Sequence, residues 1–105
     1  MNEHNIKDSS KVQIQYYGAI RAAAEKSGED MEVPSDTTAY RLLQKLAAVY
    51  GEPFHDEIFQ ESDDKLRDDL TLSVNGTIVN HAAADKIMLK QGDAVAVFPI
   101  FPGGG

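Results

Sequence analysis

The stretch "SDTTAYRLLQKLAAVYG", residues 35 to 51, carries the clearest periodic pattern in the chain. Ala39, Leu42, Leu43, Leu46, Ala47 and Tyr50 recur at helical spacing, so one face of this helix is apolar along its length. Ser35 or Asp36 is placed to cap its start, and Gly51 to stop it. The apolar face must be buried against something, and strands are the available partner. A chain of 105 residues is long enough for one such core and too short for two.

The strands are read from alternation. In "KVQIQYY", from Lys11, Val12, Ile14 and Tyr16 share one face while Gln13 and Gln15 take the other. An alanine-rich piece with helical character follows in "GAIRAAAEKSGED", ending near Gly28, and "DMEV" forms a second strand that Pro34 closes. After the helix, residues 52 to 69 are acidic, with seven acids from Asp56 to Asp69 against Lys65 and Arg67. A short helix near Phe54 to Phe59 and a solvated loop fit that stretch. "LTLSVNGTIVN" then alternates through Leu70, Leu72 and Val74, turns at Asn75-Gly76 and resumes at Ile78. Gln91-Gly92-Asp93 is a turn, and Val95, Val97 and Phe98 belong to a last strand.

The order is β-β-α-β-β. One main helix on a mixed sheet of four to five strands makes an α+β roll of the ubiquitin-like, β-grasp kind. In that arrangement the first and last strands lie side by side in the middle of the sheet. The expected organisation is a disordered N-terminal arm at 1–10, a domain at 11–98 and an extended glycine tail at 99–105.

Composition excludes several classes of function. At 42% hydrophobic and 26% charged residues, the chain reads as a soluble globular protein. It has no apolar run of membrane-spanning length, and "MNEHNIKDSSK" has no apolar signal core, so the expected compartment is the cytoplasm. The absence of cysteine rules out disulfides, thiolate metal sites and a cysteine nucleophile in this chain. A net charge of −7 argues against nucleic acid and suits a partner with a basic surface. No phosphate loop, nucleophile elbow or zinc-protease motif occurs. His4, His55 and His81 are widely spread and read as surface residues, so no metal site is expected. The acids of "ESDDKLRDD" lack the glycine and spacing of a calcium loop.

What remains is the end, "FPIFPGGG". Three glycines fit a frayed terminus or a cloning scar. They equally fit a terminal carboxylate that another protein's active site must surround, since glycine permits close backbone approach. A free carboxylate is a poor electrophile; joined to AMP, it is attacked by sulfur to give a thiocarboxylate or by an amine to give an amide. Extended, Pro99 to Gly105 reaches at most roughly 24 Å, enough to thread a buried channel. Pro99 and Pro102 fix φ and lower the ordering cost of such threading.

The chain resembles the ubiquitin-like sulfur carriers, and among them the small subunits of molybdopterin synthase; the thiamin-biosynthesis carrier belongs to the same wider family. The resemblance runs from about Lys11 to Gly105 and rests on "YYGAIRAAAEKSG", "TTAYRLLQKLAAVYG", "LSVNGTIV" and "LKQGDAVAVFPIFPGGG". It implies that an E1-like enzyme, using ATP and magnesium, adenylates the terminal glycine, and that a sulfur donor converts it to a thiocarboxylate. Pro99, Ile100, Phe101, Pro102, Gly103 and Gly104 would insert into the large catalytic subunit, with Gly105 carrying the sulfur to a cyclic pyranopterin precursor. Arg21 and Phe98 match positions that contact partner proteins. No cofactor bound by the chain itself is implied. Two features depart from the usual pattern: Ile100 stands where a second proline is common, and Gly105 is extra to a diglycine end, so Gly104 is the reactive residue if the chain is trimmed. A ubiquitin-like modifier forming isopeptide bonds shares the activated intermediate, and an interaction domain with an inert flexible tail is the third reading.

Overall fold

A computed structural model of the chain describes residues 9–60 and 65–99. Most of the expected arm, part of the acidic stretch, and tail residues 100–105 lie outside the described residues. The elements are β1 (Ser9–Tyr16), α1 (Gly18–Ala24), β2 (Gly28–Pro34), α2 (Ala39–Tyr50), α3 (Glu52–Ile58), β3 (Leu70–Val74), β4 (Thr77–Ile78), a 3-10 helix (His81–Lys86) and β5 (Ala94–Pro99). They form a five-stranded mixed sheet in the order β2-β1-β5-β3-β4. This is the expected α+β roll, with β1 and β5 parallel at its centre and the other pairings antiparallel. No helix among the described residues is long and apolar enough to cross a membrane.

The alternation read in β1 sets the core. Val12, Ile14 and Tyr16 are buried on one face, joined there by Leu70 and Leu72 of β3 and Val95 and Val97 of β5. Leu42, Leu43 and Leu46 of α2 close the core from above, all fully buried. Truncating one of these leucines to alanine costs roughly 2–5 kcal/mol. Phe54 and Ile58 of α3 extend the core past Gly51, which ends α2 with φ at 89° and donates its N–H to the Ala47 carbonyl at 2.9 Å.

Several boundaries differ from the sequence expectation, each for a local reason. Strand β1 begins at Ser9 because Ser9 and Ser10 pair with Pro34 and Val33. The cap of α2 is Thr38, whose side chain accepts from the Arg41 N–H at 3.2 Å, rather than Ser35 or Asp36. Residues 37 to 39 are first held in an extended bridge, with Leu89 N–H to the Thr37 carbonyl and Ala39 N–H to the Ile87 carbonyl, both at 2.9 Å. The helix can start only after that bridge. The alanine-rich segment ends at Glu25, which adopts a left-handed φ of 61°. The 3-10 helix after β4 was not read from the sequence; its start is capped by the Asn80 side chain, which accepts from Ala82 N–H at 2.8 Å.

The turn motifs do more than reverse the chain. Asn75 and Gly76 both have positive φ, as the hairpin requires. The Asn75 side chain also donates to Asp93 and accepts from the Ala94 N–H, each at 2.9 Å. The "NG" turn is thereby bolted to the "GD" turn that launches β5.

A second polar tie joins β1, β2 and the end of α2. The Glu29 carboxylate accepts from the Tyr16 hydroxyl at 2.6 Å and from the Tyr50 hydroxyl, with the Lys26 ammonium 3.5 Å away. Burial alone would push the Glu29 carboxyl up, but the two phenol hydrogen bonds and Lys26 outweigh it and hold the group below the ordinary carboxylate value. Burial, then Glu29, push the Tyr16 phenol well above its usual range. The folded carboxyl is thus more acidic than the unfolded one. Its contribution to stability is complete above the unfolded value and fades as pH falls through the folded one. Glu29→Gln is expected to cost about 1–3 kcal/mol near neutral pH, because a charged acceptor of two hydrogen bonds is lost. Urea titrations of both proteins from neutral to acidic pH should show the gap closing; a gap that holds constant in acid would contradict this account.

Candidate functional site

The sheet brings the last strand to its middle, so the site suggested by the sequence is built around the end of β5. Strand β1 stops at Tyr16, paired with Val97. One residue further, the Tyr17 N–H still reaches the Val97 carbonyl at 3.2 Å. The Tyr17 carbonyl accepts from the N–H groups of Ile20 and Arg21, both at 3.2 Å, so Tyr17 closes the ladder and opens α1 at once.

Two contacts follow from that junction. The rings of Tyr17 and Phe98 lie 5.4 Å apart at 35°. Tyr17 remains 43% exposed, while Phe98 is half-buried beside Thr71, its partner across β3. Next to them, Gly18 has φ of 58°, and a Cβ built there would stand 2.8 Å from Cγ and 3.1 Å from Cδ of Pro99. Pro99 is the last residue of β5, opposite Leu70. By strand alternation its missing N–H would face the β1 side, where β1 has already given way to α1, so the proline leaves no ladder bond broken.

The structure therefore brings together Phe98, Pro99 and, through the first turn of α1, Arg21. Arg21 is exposed, and its guanidinium has no ion-pair partner among the described residues. Pro99, read from the sequence as part of the tail, is held in β5. Ile100, Phe101, Pro102, Gly103, Gly104 and Gly105 lie outside the described residues. Sequence reasoning missed Tyr17 and Gly18 as parts of this site. The signal for them was a glycine placed directly after the tyrosine pair that ends "KVQIQYY".

From this end the face of the sheet opposite the helices runs over uncharged residues at its middle and the exposed charges Lys11, Asp30 and Glu32 toward the β2 edge. Gln13 and Gln15 of β1 and Ala94 and Ala96 of β5 lead to Thr71 and Ser73 of β3, with Ile78 exposed at the β4 edge. Neither His55 nor His81 is part of the site. His55 leans on the Phe59 ring and contacts the Asp56 carboxylate at 3.2 Å. His81, expected as an ordinary surface residue, is half-buried, and its Nε2–H donates to the Leu70 carbonyl at 2.7 Å. His4 lies outside the described residues. Among the described residues no three or more His, Asp or Glu side chains come together as a metal site. In the acidic stretch, Arg67 is occupied by Asp69 through contacts of 2.8 and 2.9 Å, and this pairing holds the Asp69 carboxyl below its ordinary value.

Residues 14–104 match the ThiS family. The chain is 28% identical over 93 residues to the molybdopterin synthase sulfur carrier subunit of Drosophila melanogaster, covering 89% of this chain and 90% of that one. A solved structure of a proposed molybdopterin converting factor, subunit 1, from Pyrococcus furiosus is 31% identical with a TM-score of 0.69, over 88% of this chain and 99% of that one. Small archaeal modifier protein 1 of Haloferax volcanii shares the fold at a TM-score of 0.75 and 18% identity, over 88% of this chain and 99% of that one.

The half-buried setting of Phe98 gives a direct check on the site. Phe98→Ala should cost about 1 kcal/mol, well below the roughly 3–5 kcal/mol expected for the enclosed ring of Phe54. Denaturant midpoints of the two variants measured side by side test whether Phe98 faces outward or belongs to the core.

Proposed function

The chain belongs to the ThiS family, and we propose that it is a sulfur carrier whose C-terminal carboxylate is the working group. More narrowly, it serves as the small subunit of a molybdopterin synthase, supplying sulfur to a cyclic pyranopterin precursor of the molybdenum or tungsten cofactor. The observation that carries this reading is the position of β5. The strand that leads to "IFPGGG" is the sheet's central one, braced on both sides and sealed by Pro99 against Gly18.

The chemistry then follows from the terminus. A carboxylate oxygen of Gly105 attacks the α-phosphorus of ATP in the site of an E1-like enzyme with magnesium, and pyrophosphate leaves. A hydrosulfide sulfur attacks the acyl carbon of the adenylate and AMP leaves, so one carboxylate oxygen is replaced by sulfur. The resulting thiocarboxylate is carried into the large catalytic subunit, which supplies the acids, bases and pterin pocket. Residues Ile100 to Gly104 thread the partner's channel, where glycine's missing Cβ permits close approach. Phe98 with its exposed neighbour Tyr17 provides apolar docking area, and Arg21 a charge not committed to an ion pair among the described residues. The net charge of −7 favours encounter with a basic partner surface.

The test is the intact mass of the full chain before and after incubation with ATP, a sulfide source and an E1-like enzyme competent on another carrier. The expected result is exchange of one oxygen for one sulfur, located on the terminal peptide and assigned to Gly105 or, in a trimmed chain, to Gly104. Removal of Gly104 and Gly105 is expected to abolish the exchange while the thermal melt stays unchanged. A terminus that instead forms amide links to lysines would assign the chain as a modifier. No change of mass would overturn both readings.

A further inference from the structure

We propose that Gly18 and Tyr17 are positioning residues for the reaction at the chain's end, because they seat Pro99 and Phe98 and so fix the direction in which the chain leaves the sheet. This rests on the carrier reading and goes beyond it, since neither residue touches the reacting carboxylate.

Gly18 is required twice over at its position. Its φ of 58° is one that side-chain-bearing residues rarely adopt, and a Cβ would stand only 2.8 Å from the Pro99 ring. The proline ring is therefore packed against bare backbone, where it has the least room to rock. Tyr17 secures the neighbouring residues on the same strand. Its N–H holds the Val97 carbonyl at 3.2 Å, its ring lies 5.4 Å from that of Phe98, and its hydroxyl donates to Gln15 at 3.0 Å. Three consecutive residues of β5, Val97 to Pro99, are thus each held by one of two consecutive residues, Tyr17 and Gly18. Both lie at the junction of β1 and α1.

Such a root matters because six residues can reach roughly 20 Å, so a tilt of about 10° at Pro99 would move the far end by about 3 Å. An adenylating site that grips the body of the carrier and reacts at its terminus needs both contacts in register. Errors of about 1 Å in a reacting group can cost on the order of a hundredfold in rate. A root set in advance also lowers the ordering cost of insertion.

The experiment is ATP–pyrophosphate exchange catalysed by an E1-like enzyme competent on another carrier, with the full-length chain as the varied substrate. Gly18→Ala, Pro99→Ala and the double variant are compared, each with a melting curve to confirm folding at the assay temperature. The expected result is a fall in kcat on the order of tenfold for each single variant, with KM within about twofold of the parent. The double variant should be no worse than the poorer single one, because both act through the same contact. Should Gly18→Ala fail to fold, Pro99→Ala alone carries the prediction of a lower kcat. Parent-like kcat in the folded variants, a change confined to KM, or additive losses in the double variant would each overturn the positioning role while leaving the carrier reading intact. If the parent chain itself supports no exchange, the carrier reading fails and the positioning role falls with it.

Discussion

The parallel pairing of β1 with β5 is the interaction on which the rest of this fold depends. A parallel pair cannot be closed by a tight turn, and here everything between the two strands serves as the crossover. The pairing is fastened at both ends. At the start of β5, Gln13 N–H meets the Asp93 carbonyl at 2.9 Å and Gly92 N–H meets the Lys11 carbonyl at 2.8 Å. At its finish, Tyr17 and Gly18 take over from the ladder. Ladder bonds of this kind contribute only about 1 kcal/mol each, so neither fastening is strong alone. Their effect is geometric, placing the chain's last strand where it has neighbours on both sides.

The two faces of the sheet have divided tasks. The inner face buries Val12, Ile14, Tyr16, Val95 and Val97 against α2, and supplies the stability. The outer face is mixed, with alanines, Thr71 and Ser73 over β5 and β3, glutamines on β1, and the charged Lys11, Asp30 and Glu32 toward the β2 edge. On the inner side of β2, Glu29 is a half-buried acid. It is tolerated because two phenols and Lys26 satisfy its oxygens, consistent with the rule that buried charge must be paired.

Much of this was legible in the sequence, because local patterns report local geometry. The alternation of "KVQIQYY", the spacing of leucines in α2 and the Asn75-Gly76 turn each name their element without reference to anything distant. The misses came where a distant partner decided. Thr38 rather than Ser35 caps α2 because residues 37 to 39 are first bridged to 87 to 89, and no pattern near Ser35 encodes that bridge. Nothing near Glu29 marks it as a hydrogen-bonded acid, since Tyr50 lies twenty-one positions away along the chain. His81 looked unremarkable for the same reason: its partner is a backbone carbonyl, which leaves no mark on the sequence.

The division at the candidate site follows the same physics. The chemical character of the end, a glycine-terminated chain with no cysteine and a negative body, is a property of residue identity and needs no fold to be read. The apolar stripe of α2 is likewise set by spacing alone. That Pro99 rests on Gly18 and Phe98 beside Tyr17 was decided only in three dimensions. These pairs stand some eighty positions apart in the sequence, and only the β1–β5 register brings them within contact. Pairings across such separations depend on the whole core forming at once, which no local stretch of sequence can report.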